Sequence, residues 1–144
     1  MIDSGVNYNH ELLKYRVVRT KVDFSTENRG DEMDTLGHGT NVAGTIAKST
    51  PSNVKIYAYK FYNKNGYGTS SQICSVVEYI KQSNKKPDII NCSFSDPMNT
   101  GICDLTNAGV TAVMAAGNDN KEITNQDFYN DLITVGAEIS TQAP

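Results

Sequence analysis

A chain of 144 residues is about one domain. Its 16 Asp and Glu outnumber 13 Lys and Arg, so a net charge of −3 offers no footprint for nucleic acid, and lysines 81, 85 and 86 read as a solvated helix end. No apolar run approaches the roughly 20 residues that span a bilayer, and the start, MIDSGVNYNH, lacks the basic and apolar blocks of a signal peptide; neither nucleic acid nor membrane is expected as a partner, and the compartment stays open.

In chain order, Ile2 leads into Asp3-Ser4-Gly5, a turn-forming triplet with a carboxylate. Residues 37–44, GHGTNVAG, bracket one of the two histidines with glycines and follow it with small residues. Glycine lets the backbone turn sharply and approach another element closely. Thr40, Ala43, Gly44 and Ala47 leave a lean helix face for tight packing. His38 is then either an acid–base group at the start of a buried helix or a surface histidine on a glycine-rich turn. Val54–Tyr59 is rich in β-branched and aromatic residues and predicts a strand. Thr69-Ser-Ser-Gln72 has the form of a capping box, followed by apolar positions 73, 76, 77 and 80, and predicts a helix. Asp88–Ser93 predicts a strand buried on both faces, Asp104–Ala108 a short helix ended by Gly109, and Val110–Ala115 and Leu132–Gly136 two further buried strands.

Strands and helices that alternate in this way predict an α/β fold with a parallel sheet. Ligands in such sheets bind outside the carboxyl ends of the strands. That rule draws attention to Asp3, to Ser93 through Asp96, and to Gly117-Asn118-Asp119. The three cysteines, at 74, 92 and 103, form no C-x-x-C pair, which argues against zinc and redox motifs. Cys92 reads as a small core residue. No metal or other cofactor is expected.

Taken together, these segments resemble the subtilisin-like serine peptidases. Ile-Asp-Ser-Gly at 2–5 is similar to that family's aspartate motif, Gly-His-Gly-Thr-Asn-Val-Ala-Gly at 37–44 to its histidine motif, and Asp-Ile-Ile-Asn-Cys-Ser at 88–93 to its substrate-wall strand. Ala-Ala-Gly-Asn at 115–118 is similar to its oxyanion motif and Leu-Ile-Thr-Val-Gly-Ala at 132–137 to the strand beyond. The five occur in the family's order. The resemblance implies a three-layer α/β sandwich with a mostly parallel sheet, present here as one partial domain over residues 1–144. It implies serine endopeptidase chemistry, with Asp3 orienting His38, His38 as general base and Asn118 as oxyanion donor. A peptide or protein substrate would lie as an added strand between Tyr62–Gly68, with Gly66, Tyr67 and Gly68 in contact, and Ser93–Asp96, with Ser93, Phe94 and Ser95 in contact.

The sequence also departs from the family pattern. The nucleophile of the family opens a helix in a Gly-Thr-Ser-apolar-Ala motif after the oxyanion motif. Past Asn118 the only serine is Ser140, which lacks that setting. Gly68-Thr69-Ser70 lies between His38 and Asn118, out of order, and reads as a helix cap. With only Met1 and Ile2 before Asp3, the chain reads as a catalytic domain cut at both ends, inactive alone. The missing C-terminal part of the domain would then be a partner. The alternatives are a pseudoprotease that binds extended peptides, or a half-enzyme completed by a second chain. Asn41 stands where the family often has a second histidine, and Ser95 where a glycine often keeps the first specificity pocket open. The short loop Lys48–Asn53 gives no reason to carry over the family's calcium loop. Asp31, Glu32, Asp34 and Asp96 raise a preference for basic substrate side chains as one reading, against solvated loop acids as the other.

Overall fold

The computed structural model describes residues 1–94, 101–118 and 132–137. Its elements in chain order are β1 (Ile2–Asp3), β2 (Val17–Val18), α1 (His38–Ser49), β3 (Ile56–Tyr57), β4 (Tyr59–Lys60), α2 (Ser70–Gln82), β5 (Ile89–Cys92), α3 (Ile102–Asn107), β6 (Thr111–Ala115) and β7 (Ile133–Val135). Five strands form a parallel sheet in the order β4-β1-β5-β6-β7, and β2 and β3 form a separate parallel pair.

The sheet order follows from how the chain leaves β1. It returns as β4 on one side and as β5 on the other. That reversal makes the carboxyl end of β1 a topological switch point, where the connections diverge and leave a crevice. Asp3 ends β1 there, and the segments after β5 and β6 leave from the same edge.

Helices pack both faces. One face carries Ile2, Tyr59, Ile90, Cys92, Ala112 and Met114, covered by Ile73, Val76, Val77 and Ile80 of α2 and Ile102 and Leu105 of α3. The spacing of the α2 residues is that of one helical stripe, and Thr69 caps the helix with the full capping box read from the sequence. On the other face α1 lays Gly39, Ala43 and Ala47, one residue every four, against a cluster that includes Met1, Val6, Leu13, Ile56 and Ala58. The C-terminus of α1 is held by Arg16. Its guanidinium is buried and donates to Ala47 O at 3.0 Å, Thr50 Oγ1 at 2.7 Å and Val54 O at 2.8 Å. A cation at that end also complements the helix dipole.

The structure departs from the sequence expectations at four points. The strand expected at Val54–Tyr59 is two strands in two sheets: Ile56–Tyr57 pairs with β2 and Tyr59–Lys60 with β1, with the buried Ala58 at the crossing. Val17–Val18 is a strand that two β-branched residues alone did not announce. The strands β5 to β7 are not buried on both faces. Register puts Ile89, Thr111, Val113, Ile133, Ala115 and Val135 on one side, the side of Asp3 and α1. Ile89, Ile133 and Val135 are 61%, 54% and 53% exposed there. Apolar composition alone cannot separate a strand covered twice from one covered once. The short helix begins two residues before its expected start, at Ile102, and Gly109 follows it with φ 85°.

Candidate active site

The site is built where β1 ends and α1 begins. Asp3 is fully buried, and its Oδ1 lies 2.7 Å from His38 Nδ1. The same oxygen accepts the Ser4 amide at 2.7 Å. The His38 ring is 47% exposed, so one edge meets the carboxylate and the remainder stays open to solvent. With Nδ1 held by the carboxylate, Nε2 is the nitrogen left to take a proton. Asp3 Oδ2 is buried and has no hydrogen-bond partner among the described residues. A buried carboxylate oxygen without a donor is costly, by about 1–3 kcal/mol or more.

The glycines around His38 have separate physical reasons. Gly37 is the N-cap of α1 at φ 99°, a backbone conformation that favours glycine. Gly39 is where α1 crosses the chain after β1. A Cβ built on it would lie 2.1 Å from Gly5 O and 3.1 Å from Asp3 Oδ1. The absent side chain therefore lets the helix approach closely enough for the short Asp3–His38 contact.

Gly37 brings no side-chain cap, so the first amides of α1 find acceptors elsewhere. Ser4 Oγ accepts from Gly39 N at 2.9 Å. Asp34 Oδ2 accepts from Thr40 N at 2.8 Å and from the Thr40 hydroxyl at 2.5 Å. Asp34 Oδ1 accepts from the Ser4 hydroxyl at 2.9 Å, Leu36 N at 3.0 Å and Gly37 N at 2.8 Å. Burial alone would push the Asp34 carboxyl up. The bonds from the Thr40 hydroxyl, the Gly37 and Thr40 amides and the Ser4 hydroxyl outweigh that and hold it below its usual value. In place of the substrate-facing acid that the sequence raises as one reading, Asp34 is an acceptor for the start of α1. The available signal was a turn-forming Asp three residues before the helix cap.

The other acids near His38 are likewise occupied. Glu32 is buried, with Arg19 Nε at 2.5 Å and Lys21 N at 2.7 Å, and Asp31 accepts from the Tyr8 hydroxyl and lies 3.8 Å from Arg19. These bonds explain Asp31, Glu32 and Asp34 as structural acids, and Asp96 lies outside the described residues.

Next to Asp3 in the sheet register stands Lys60, whose side chain is fully buried. Its ammonium is bonded to Glu27 Oε2 at 2.6 Å, Met33 O at 2.8 Å and Thr35 Oγ1 at 3.0 Å. Burial would raise the Glu27 carboxyl, but hydrogen bonds from Lys60, Thr35 and the Lys64 amide bring it down to about 2. This pair pins the loop that precedes α1 to the strand beside β1.

The remaining sequence-derived residues stand in the segments that follow β4, β5 and β6. Gly66 and Gly68 border Tyr67, which is 73% exposed, in a turn closed by Asn63 N to Tyr67 O at 3.0 Å and Gly66 N to Asn63 O at 2.9 Å. After β5, Ser93 Oγ accepts from Asn91 Nδ2 at 2.9 Å. Phe94 turns its ring inward, 4.9 Å from that of Phe61 and 6.0 Å from that of Tyr62, so only its backbone is left to line a groove. Ser95 lies outside the described residues. Asn118 is exposed just beyond β6, two strand positions from Asp3. Among the described residues no group of three or more His, Cys, Asp or Glu could hold a metal ion, and no helix is long and apolar enough to cross a membrane.

A parallel α/β sheet with an Asp–His pair at its switch point is an arrangement that serine hydrolases use. The subtilase family model matches residues 1–143, and the chain belongs to that family. It is 34% identical to an extracellular serine proteinase of Thermus sp. strain Rt41A, over 98% of this chain and 36% of the relative. It is 32% identical to a cuticle-degrading protease of Metarhizium anisopliae, over 95% of this chain and 38% of the relative. Among solved structures, a cold-adapted subtilisin-like serine proteinase matches with TM-score 0.67 and 35% identity, over 83% of this chain and 45% of that one. The chain thus spans less than half the length of these relatives.

Proposed function

We propose that these 144 residues are the Asp/His part of a subtilase endopeptidase domain. The observation that carries the reading is the 2.7 Å contact between His38 Nδ1 and a fully buried Asp3. In that reading His38 takes the proton from a serine hydroxyl through Nε2 and later returns it to the leaving amine. Asp3 fixes the tautomer and stabilises the imidazolium. Asn118 donates its side-chain N–H to the oxyanion. The substrate is a peptide or protein strand held between Gly66–Gly68 and Ser93–Ser95.

The nucleophile comes from a segment outside the 144 residues. One observation supports this. The apolar face formed by Ile89, Ile133 and Val135 lies open on the side of the sheet that carries Asp3 and α1. A helix opened by the serine motif would cover that face beside His38. Covering apolar surface contributes about 25 cal/mol per Å², so the same segment would add stability along with the reactive hydroxyl.

The test is to read the coding DNA past residue 144 and express the extended chain. A Gly-Thr-Ser-apolar-Ala motif in frame, peptide hydrolysis by the extended chain, and loss of hydrolysis on His38→Ala are expected. The 144-residue chain itself should take no label from a serine-directed phosphonate. Stoichiometric labelling of that chain would overturn the missing-nucleophile reading. Stop codons at the end, with tight binding of uncut peptides, would favour the binding module over the protease.

A further inference from the structure

We propose that Asp34 is a positioning residue that sets the Asp3–His38 distance, by clamping the first turn of α1 to the end of β1. The inference rests on the reading of Asp3 and His38 as the base pair, and it concerns how the fold holds that pair. Two groups on separate elements, 35 residues apart, must stay within hydrogen-bond distance. Nothing in either side chain guarantees that. The backbone on both sides has to be fixed.

Asp34 touches the neighbours of both residues. Ser4, which follows Asp3, donates its hydroxyl to Asp34 Oδ1. Gly37, which precedes His38, donates its amide to the same oxygen. Thr40, two residues past His38, donates both its amide and its hydroxyl to Oδ2. The links then close on themselves. Ser4 Oγ accepts from Gly39 N at 2.9 Å, and Thr40 Oγ1 accepts from Asn7 N at 2.9 Å. Asp34 is tied back by its own amide, which donates to Val6 O at 3.3 Å. One carboxylate thus receives donors from the strand end and from the helix start.

Only a carboxylate satisfies this set. Five donors converge on two oxygens, and an aspartate at this site is acceptor-only. An asparagine would turn N–H groups toward donors at one end, breaking either the Thr40 pair or the Ser4, Leu36 and Gly37 set. A glutamate has the charge but carries it one methylene further out. A negative charge here also complements the N-terminus of α1.

The measurement is the His38 Nδ1–H resonance of the ¹⁵N-labelled 144-residue chain, with its exchange rate against water. The parent should show a slowly exchanging, strongly downfield signal. Asp34→Asn should remove it or speed its exchange about tenfold or more, while amide peaks of α2 and β6 hold their positions. Asp34→Glu should not restore it. Should Asp34→Asn fail to fold, Ser4→Ala and Thr40→Val each cut one arm of the clamp, and each should speed exchange several-fold in a folded chain. An unchanged signal and exchange rate in folded Asp34→Asn, or in both single-arm variants, overturns the proposal even if the unfolding midpoint falls. A parent that shows no such signal refutes the base-pair reading itself, and the proposal with it.

Discussion

Replacing Gly39 with alanine sets two physical effects against each other. Alanine is a better helix former than glycine by about 1 kcal/mol, so propensity alone makes the variant more stable. The structure gives the opposite sign. The new Cβ would lie 2.1 Å from Gly5 O, where real Cβ atoms stay beyond 3.0 Å and ordinary contact starts at 3.4 Å. The obstacle is backbone, so no rotamer change relieves it. Helix and strand end must separate by the difference, roughly 0.9–1.3 Å. Added to the 2.7 Å Asp3–His38 contact, that gives roughly 3.6–4.0 Å, too long for a hydrogen bond. Overpacking of this kind costs about 1–3 kcal/mol. With no flexible neighbour to yield, the upper end applies, and a net loss of about 2 kcal/mol remains after the propensity gain. For a domain of this size that is a fall of about 4–8 °C in Tm. The assay pairs a thermal unfolding curve with the His38 Nδ1–H resonance. In an extended chain that cleaves peptides, kcat/KM should drop by about 10²-fold, the usual consequence of misplacing reacting groups by 1 Å. A Gly39→Ala chain that melts at or above the parent temperature with the resonance intact would refute the close-approach reasoning.

The other expectations are shorter. Asp3→Asn in an extended, active chain should lower kcat by about 10⁴-fold with little change in KM, because His38 would be held in the wrong tautomer; steady-state kinetics with a peptide substrate decide it. Asn118→Ala should cost about 10²–10³-fold in kcat, the loss known for such a donor in subtilisin itself; a fall in affinity at constant kcat would count against the oxyanion role. Arg16→Lys should lose the fork that holds Ala47 O, Thr50 and Val54 O together, at about 1–3 kcal/mol by denaturant unfolding; an unchanged midpoint would mean that this end of α1 does not need it. The Glu27 carboxyl titrates at about 2 in the folded chain against 4.5 otherwise. A depressed carboxylate stabilises the fold above the unfolded value and loses that contribution as pH falls from about 4.5 to about 2. Glu27→Gln should therefore lower stability at neutral pH and flatten its acid dependence in that window, as read by urea midpoints from pH 2 to 6.

Residue types and their order determined much of this protein. Thr69 and Gln72 formed the capping box wherever the chain placed it, because its two bonds are local. Alternating apolar runs fixed a parallel α/β fold, and Asp3, His38 and Asn118 stood out by motif and order. Tertiary structure decided what depends on neighbours distant in the chain. The run at 54–59 divided between two sheets because β1 and β2 offered it different partners. Ile89, Ile133 and Val135 lie exposed because α1 covers only part of its face, and no local pattern reports the reach of a helix. Asp31, Glu32 and Asp34 look alike in sequence. Arg19 occupies the first two and the β1–α1 junction the third, since a carboxylate takes its role from the donors that the fold brings to it.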